Sequence, residues 1–236
     1  MNFEQIFTNH TDKTISKWHH YFDIYDRYLN HLINKEFTLL EIGIAKGGSL
    51  QCWKKYFGTR VKIVGIDIDI NTHYKESQIE TFIGSQSDTI FLEKLLQKID
   101  QPTVIIDDGS HKQSDIIKTF DYLFPKLNNK GIYIIEDCHT CYWPRFEGGL
   151  DSHLNFVDIM SRNVHDVNHR WYNLPRIPKL KNLKSICFYD SIVVCEKEEK
   201  TQRLMIDNEQ GLVRIKERVW TFYIFAVDCL DRVVLY

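Results

Sequence analysis

The chain has 236 residues, of which 43% are hydrophobic and 26% charged, and its formal net charge is −2. This composition is typical of a globular protein, and the small charge gives no electrostatic reason to expect a nucleic-acid partner. The amino terminus lacks the basic start and apolar stretch of a signal peptide, and no run approaches the roughly 20 apolar residues of a membrane span. We therefore expect a cytoplasmic protein with no transmembrane segment.

The predicted elements begin with an amphipathic helix from about Ile15 to Ile33, where Tyr, His and Leu recur at a spacing of three to four. Strands and helices then alternate. The predicted strands are Phe37–Gly43, Val61–Asp67, Ile79–Ile83, Thr103–Asp108 and Gly131–Glu136, and the predicted helices are Gly48–Tyr56, Asp88–Ile99, Ser114–Leu123 and Leu150–Arg162. Apolar runs that alternate with helices predict a parallel sheet covered on both faces.

Two further strands, Ser185–Tyr189 and Ile192–Glu196, flank the turn residues Asp190 and Ser191 and predict a hairpin. The hairpin adds an antiparallel strand to the sheet. The predicted fold class is therefore α/β, with a doubly wound, mostly parallel sheet of seven strands and a terminal antiparallel hairpin.

The predicted organisation has three parts: a helical lid segment (residues 1–34), the sheet domain (35–198) and a C-terminal extension (199–236). We expect Thr11, Asp12, Lys13 and His20 to form the lid. The extension contains the apolar segment Val219–Val227, which is too short to cross a membrane. We expect this segment to pack in the core or in a dimer interface, with contact to a membrane surface as the alternative.

A glycine turn follows the first predicted strand and leads into a helix. Glu41 ends the strand, Gly43 and Gly47 leave room for a ligand against bare backbone, and Ser49 can add a hydroxyl. The spacing Glu-x-Gly-x-x-x-Gly differs from the Gly-x-Gly-x-x-Gly of nicotinamide and flavin sites. Because ligands bind at the carboxyl ends of such strands, the turn predicts a site for a nucleoside-containing cofactor.

The ends of the next strands supply further candidate contacts for the cofactor. Asp67 can accept hydrogen bonds from both ribose hydroxyls, with Asp69 as its competitor for that role. Gln86, in the turn after the third strand, can meet an adenine edge, and Asp107 at the end of the fourth strand completes the predicted cofactor set.

Acidic residues end two neighbouring strands. Asp107 and Asp108 end the fourth strand with His111 close behind, and Glu136 and Asp137 end the fifth. Carboxylates brought together there would repel one another unless a cation lay among them, and oxygen ligands suit Mg²⁺ or Mn²⁺. His111 has the chemistry of a general base. The alternative is that the acids cap the following helix and His111 is a surface residue.

These motifs occur in an order that resembles the metal-dependent class I O-methyltransferases acting on sugars. Within that class, the chain most resembles the macrolide-sugar methyltransferases and their relatives in bacterial glycan gene clusters. The resemblance covers about Thr8 to Glu196. It implies the strand order 3-2-1-4-5-7-6 and S-adenosylmethionine as the cofactor. It also implies a magnesium ion held by Asp108, Glu136 and Asp137, with His111 as the base.

A second resemblance and two departures concern single residues. The spacing around Ser49 also resembles catechol O-methyltransferase, which supports Ser49 as a cofactor contact. Ser85 stands where relatives often carry Asp, and Cys138 and Cys141 replace a Leu-like residue and a Ser. The two cysteines have redox or zinc spacing, but the chain lacks the second pair that a zinc ribbon needs, so we interpret them as small side chains in a loop.

The function implied by the resemblance is methyl transfer to a hydroxyl of a sugar or glycan-type small molecule. His139, Tyr142 and Trp143 follow the fifth strand and either wall the acceptor or pack within their loop. A hydroxylase or oxidoreductase on the same fold is one rival, opposed by the missing Gly-x-Gly-x-x-Gly and by the lack of a two-His-one-carboxylate pattern. A non-catalytic module that binds S-adenosylmethionine is the other, opposed by the intact base and acids. The sequence indicates neither the acceptor nor the oligomeric state.

Overall fold

The computed structural model describes residues 1–169 and 180–199 in full, and the backbone of residues 204–207 and 211–214. The chain divides into two compact units, Met1–Glu199 and Lys200–Tyr236. Within the described residues, no helix combines the length and apolar character that a membrane crossing needs. The predicted apolar segment Val219–Val227 lies outside the described residues, so its role stays a prediction.

One sheet organises the first unit. Its strands are β1 (Phe37–Ile42), β2 (Val61–Asp67), β3 (Lys75–Glu76), β4 (Ile79–Ile83), β5 (Pro102–Asp107), β6 (Ile132–Ile135), β7 (Leu183–Tyr189) and β8 (Ile192–Lys197). Their spatial order is β3-β4-β2-β1-β5-β6-β8-β7. The five neighbouring strands β4, β2, β1, β5 and β6 are parallel, while β3, β8 and β7 are antiparallel to their neighbours.

The predicted fold class is confirmed, and the predicted strand order holds once the short strand β3 is set aside. The predicted count of seven strands is one too few. The missed strand consists of only Lys75 and Glu76, which pair with Glu80 and Ile79 at the edge of the sheet. Two polar residues at an edge form no apolar run, so the sequence pattern does not reveal them.

The helices are α1 (Phe3–Thr8), α2 (Tyr21–Leu29), α3 (Gly48–Phe57), α4 (Thr89–Leu96), α5 (Gln113–Leu123), α6 (Phe156–Arg162) and α7 (Val164–Val167). The predicted helix from Ile15 to Ile33 is wrong in its first third, because residues 10–20 have no regular helix and α2 begins only at Tyr21. The helix predicted from Leu150 begins at Phe156. The Asn155 side chain caps α6 by accepting a hydrogen bond from Asp158 N at 3.3 Å. Its amide also donates to the carbonyl oxygens of Cys141 and Gly149, which keeps the preceding loop out of the helix.

The sheet is covered on both faces, and β1 is buried along its whole length. Leu39 packs on the side of α1, α2 and α3 with Phe3 and Trp53, whereas Leu40 packs on the opposite side with Phe120 of α5. Alternating side chains of one strand therefore serve two apolar layers, as expected for a central parallel strand. Glu41 is the exception, a fully buried acid within this strand.

The second unit is described only at two short strands. These are β9 (Leu204–Asp207) and β10 (Gly211–Arg214), which pair antiparallel.

Candidate functional site

The turn after β1 brings bare backbone against the loop that follows β5. Gly43 has a φ of +81°, and a Cβ built there would lie 2.1 Å from the carbonyl oxygen of Asp108. Gly47 has a φ of +80°, directly precedes α3, and leaves room for the ring of Tyr74, which a Cβ would meet at 2.5 Å. No other residue type fits either position without displacing its neighbours.

A cavity of about 170 Å³ lies at the carboxyl ends of β1, β2, β4 and β5. Its lining includes Gly43, Asp67, Ser85, Gln86, Gly109 and Ser110. Asp67 Oδ2 accepts hydrogen bonds of 3.0 Å from the backbone N–H groups of Ile44 and Ala45, which fixes the carboxylate at the cavity wall. Asp69, its predicted competitor, accepts instead from Asn71 N at 2.9 Å and caps a 3₁₀ turn.

Gln86 and Asp107 belong to one buried hydrogen-bond network. Gln86 Nε2 donates to Asp107 Oδ1 at 3.1 Å, and Gln86 Oε1 accepts from Ser110 N at 2.7 Å. Tyr133 donates its hydroxyl proton to Asp107 Oδ2 at 3.1 Å. Burial raises the pKa of Asp107 to about 7, against the lowering effects of Tyr133 and Gln86. The network shapes the loop behind the cavity, and both carboxylate oxygens of Asp107 are bound within it.

Glu41 and Ser49, two predicted cofactor contacts, are buried below the turn. Trp53 Nε1 donates to Glu41 Oε2 at 3.0 Å, while Glu41 Oε1 has no hydrogen-bond partner among the described residues. Burial raises the pKa of Glu41 to about 7, although Lys17, Ser49 and Trp53 act to lower it. Ser49 is only 6% exposed.

Three side chains converge beyond the carboxyl ends of β5 and β6. Asp108, His111 and Asp137 bring one ligand atom each within 4.8 Å of one another. His111 Nε2 lies 3.8 Å from Asp108 Oδ1 and 3.7 Å from Asp137 Oδ2. Both His111 and Asp137 adopt positive φ, +57° and +52°, which is uncommon outside glycine and is concentrated at functional sites.

Glu136, the remaining predicted metal ligand, is buried and holds Lys17. Lys17 Nζ lies 2.6 Å from Glu136 Oε2, 2.7 Å from Asp108 Oδ2 and 4.0 Å from Glu41 Oε1. Burial alone would lower the pKa of Lys17, but the three carboxylates outweigh it and hold that pKa well above its ordinary value. One ammonium thus serves several acids. Burial also raises the pKa of Glu136, and Asp108 adds to this.

The donor set fits a divalent cation. The predicted ligands Asp108 and Glu136 already hold a cation, the ammonium of Lys17, between them. Carboxylate oxygens are the ligands that Mg²⁺ and Mn²⁺ prefer.

Residues 10–20, which we call the strap, reach the acids from the amino terminus. Trp18 Nε1 donates to Asp137 Oδ1 at 3.1 Å, and the α2 residue Tyr21 donates its hydroxyl proton to the same oxygen at 2.8 Å. One turn further along α2, Tyr25 donates to Glu136 Oε1 at 2.7 Å. The strap and α2 are therefore attached to both acids that follow β6.

The predicted lid residues contribute at the ends of the strap. Asp12 accepts from Gln51 Nε2 at 2.9 Å, and Lys13 N donates to Gln51 Oε1 at 3.2 Å, so this end is fixed to α3. At the other end, His20 contacts the carbonyl oxygen of Asp190 at 3.1 Å.

Aromatic rings surround the entrance to the acid cluster. The ring of His139 lies 4.7 Å from that of Trp143 and 6.0 Å from that of Trp18, and the ring of His111 lies 6.3 Å from that of Phe146. Trp18 and Trp143 are 54% and 42% exposed. Cys138 and Cys141 are buried free thiols behind this group.

Sequence reasoning missed Lys17, Tyr21 and Tyr25. A signal was present, because the three residues recur at a spacing of four and each ends in a hydrogen-bond donor. In the sequence, the three side chains resemble the apolar face of a helix. In the structure, their terminal polar atoms bind the acids that follow β6.

No protein-family model matches the chain, but individual proteins of known activity are similar to it in sequence. The 8-demethyl-8-alpha-L-rhamnosyl tetracenomycin-C 2'-O-methyltransferase of Streptomyces olivaceus is 31% identical over 85% of this chain and 55% of its own length. The demethylmacrocin O-methyltransferase of Streptomyces fradiae is 36% identical over 65% of this chain and 42% of its own length.

Similarity in structure leads to the same family. The solved structure of MycE methyltransferase from the mycinamycin biosynthetic pathway, in complex with Mg, SAH and mycinamycin VI, has a TM-score of 0.76 and 27% identity. The match covers 89% of this chain and 58% of that one. The chain thus spans about half the length of the relatives it matches. In sequence and fold, it is a relative of the sugar O-methyltransferases of macrolide and tetracenomycin pathways, which confirms the resemblance predicted from the motifs.

Proposed function

We propose that the chain is an S-adenosylmethionine-dependent O-methyltransferase that methylates a hydroxyl of a sugar or glycan-type small molecule. One observation carries the proposal: a single loop serves both the cavity beside the glycine turn and the acid cluster. Gly109 and Ser110 line the cavity, while Asp108 and His111, on either side of them, belong to the cluster. A methyl donor bound in the cavity and an acceptor hydroxyl bound at the cluster would therefore both lie against the loop formed by residues 108–111.

The cofactor would bind in the cavity at the glycine turn. Asp67 is the proposed ribose contact, because its carboxylate is fixed at the cavity wall by two backbone N–H groups. Gly43 and Gly47 allow close approach of the cofactor, and Ser85 lies where an adenine edge would reach. Gln86 lines the same cavity, but its amide is bonded to Asp107 and Ser110. Glu41, Ser49 and Asp107 are buried and support this site from behind.

The divalent ion would be held by Asp108, Glu136 and Asp137. When bound, S-adenosylmethionine would supply the methyl group, and Mg²⁺ would supply a positive charge that lowers the pKa of the acceptor hydroxyl. The relatives support a sugar as the acceptor, because one is named for a rhamnosyl tetracenomycin and another was solved in complex with mycinamycin VI.

His111 is the proposed general base. Its Nε2 lies within 4 Å of both Asp108 and Asp137, so an acceptor hydroxyl held at the acid cluster would be within reach of this nitrogen. The positive φ of His111 and its place in the shared loop direct this nitrogen towards the acids.

The aromatic rings around the entrance would form the acceptor wall. Trp18 and Trp143 are large, partly exposed rings beside the cluster, and an aromatic face can cover the apolar face of a sugar. His139 lies between them. We propose Trp143 as the main stacking residue because Trp18 already donates its indole N–H to Asp137.

The proposal is tested with the purified chain, methyl-labelled S-adenosylmethionine, Mg²⁺ and a panel of deoxysugar glycosides. We expect one glycoside class to gain one methyl group, and a chelator to stop the reaction. Binding of S-adenosylhomocysteine, measured by calorimetry in parallel, separates loss of cofactor binding from loss of chemistry. Methylation that continues at full rate in the chelator would contradict the metal role, and binding without methylation of any hydroxyl would contradict the reaction.

A further inference from the structure

Lys17 binds the same oxygen atoms that two of the proposed metal ligands offer. Its Nζ lies 2.7 Å from Asp108 Oδ2 and 2.6 Å from Glu136 Oε2. Mg²⁺ binds carboxylate oxygens at about 2.1 Å. An ion bound to these two oxygens would fill the space in which the ammonium lies, so the two cations exclude each other there.

The charges also favour replacement of the ammonium by an ion of higher charge. Three carboxylates lie within 4.0 Å of Lys17 Nζ, those of Glu41, Asp108 and Glu136, and a carboxylate oxygen of Asp137 lies within 4.8 Å of one of Asp108. A single ammonium is shared among several carboxylates here, and acidic groups held together at low exposure attract a further cation. Glu41 Oε1, which has no hydrogen-bond partner among the described residues, lies 4.0 Å from Nζ.

The ammonium is also the buried anchor of the strap. The side chain of Lys17 is 3% exposed, whereas its neighbour Trp18 is 54% exposed. The flanking strap residues are fixed by hydrogen bonds to Gln51 at one end and to Asp190 at the other. If Lys17 leaves the acids, the middle of the strap loses its deepest contact while both ends keep theirs.

We infer that Lys17 is an internal competitor of the divalent ion, which closes the strap over Asp108 and Glu136 until the ion displaces it. This inference rests on the proposed metal site. It adds that metal binding and strap opening are one equilibrium, so that Lys17 sets the affinity for the ion and the ion gives access to the acceptor site.

The direct test is the accessibility of the Lys17 amine in the wild-type chain. Amines are acetylated with a limiting reagent, with and without saturating Mn²⁺, and each lysine is quantified by mass spectrometry. We expect Mn²⁺ to raise the labelling rate of Lys17 by about tenfold or more. The exposed Lys62 and Lys75, with 64% and 70% of their side chains accessible, serve as internal references whose rates stay constant. Continued protection of Lys17 at saturating Mn²⁺ would overturn the inference.

A matched pair of variants gives a second readout, the affinity for Mn²⁺ alone measured by calorimetry. Lys17→Met should tighten binding by about tenfold or more because it removes both the competitor and its charge. Lys13→Met removes the same charge from the same strap, but the Lys13 ammonium lies over the Tyr74 ring, 4.4 Å from its centroid. The Mn²⁺ affinity of Lys13→Met should therefore stay within about twofold of wild type. Equal affinities in the two variants would contradict competition.

Two further variants keep the outcomes distinct. Lys17→Arg retains the positive charge, so Mn²⁺ affinity should not rise; it replaces the Met variant as the comparison if Lys17→Met does not fold, and a rise in this variant would contradict the inference. Asp108→Asn tests the metal site itself. If Asp108→Asn loses Mn²⁺ binding but Lys17 stays protected in the Mn²⁺-saturated wild type, only the competition is refuted. If Asp108→Asn binds Mn²⁺ as wild type does, the proposed metal site is refuted as well.

Discussion

The two halves of the candidate site are held together in different ways. In the cofactor half, at the ends of β1, β2 and β4, Asp67 accepts hydrogen bonds from the backbone N–H groups of Ile44 and Ala45 in the turn after the neighbouring strand β1, and the glycines make room for a ligand. In the acid half, after β5 and β6, the charges of Asp108 and Glu136 are met by Lys17, which is 91 and 119 residues away in sequence. The first half is built by local turns, whereas the second depends on a remote segment that folds over it.

The largest effect is expected in the acid half. His111→Ala should slow methyl transfer by roughly 10²–10⁴-fold, because it removes the proposed base. The measurement is single-turnover transfer to a responsive glycoside, with S-adenosylhomocysteine affinity as the control that the cofactor half is intact. A variant that retains the wild-type rate would show that His111 is not the base.

A change in the cofactor half should weaken cofactor binding and leave metal binding intact. Asp67→Asn removes a charge that would accept the ribose hydroxyls, and charged hydrogen bonds of this kind contribute about 1.5–3 kcal/mol. We expect the Kd for S-adenosylhomocysteine to rise by roughly 10–100-fold, while Mn²⁺ affinity stays unchanged. Asp69→Asn is the matched control, since Asp69 caps a turn outside the cavity lining. Equal losses in both variants would argue against Asp67 as the ribose contact.

The attachment of α2 to the acid half can be measured as stability. Tyr25→Phe removes the hydroxyl that donates to the buried Glu136 at 2.7 Å. We expect the free energy of unfolding to fall by about 1.5–3 kcal/mol, because the carboxylate stays buried with one donor fewer. Tyr122→Phe removes a hydroxyl from a partly exposed tyrosine that binds the surface residue Glu93 and should cost less than about 1 kcal/mol. If the two variants lose the same amount, the buried contact has no special role.

A further expected effect is a pH dependence of stability at Asp107, which lies between the two halves. Burial raises its pKa in the folded protein to about 7, above the ordinary value of about 3.9 in the unfolded chain. The folded state therefore binds the proton more tightly, and this group makes stability fall as the pH rises from about 4 to 7. Asp107→Asn should remove that component, so the variant should gain on wild type by at most about 1.4 kcal/mol per pH unit.

Denaturant unfolding at several pH values between 4 and 8 measures this difference. The control is Asp151→Asn, at an exposed acid far along the chain, whose stability relative to wild type should be flat across the window. A flat difference for Asp107→Asn would show that the buried carboxyl does not take up a proton on folding.

The sequence predicted what depends on local pattern. The apolar run of β1, the glycine turn at Gly43 and the acids at the ends of β5 and β6 all lie where periodicity and spacing placed them. The edge strand β3 was missed because two polar residues carry no period. The start of α2 was wrong because residues 10–20 reach the acids that follow β6, which Lys17 and Trp18 bind, instead of continuing a helix.

The partition of the acids could not be predicted for the same reason. Glu136 and Asp137 are adjacent in sequence, and both are proposed as ligands of one ion, but the sequence does not predict what else each of them contacts. The positive φ of Asp137 turns it towards His111, while Glu136 is buried against Lys17 and Tyr25. Which neighbour takes which direction depends on the remote strap and on α2, and no local pattern around β6 encodes that.

The two halves are tested together by anomalous diffraction from crystals grown with Mn²⁺ and S-adenosylhomocysteine. We expect a manganese peak among Asp108, Glu136 and Asp137, beside a nucleoside in the cavity at Asp67. A cofactor bound elsewhere, or a fully loaded crystal with no metal peak at these three acids, would contradict the proposed site.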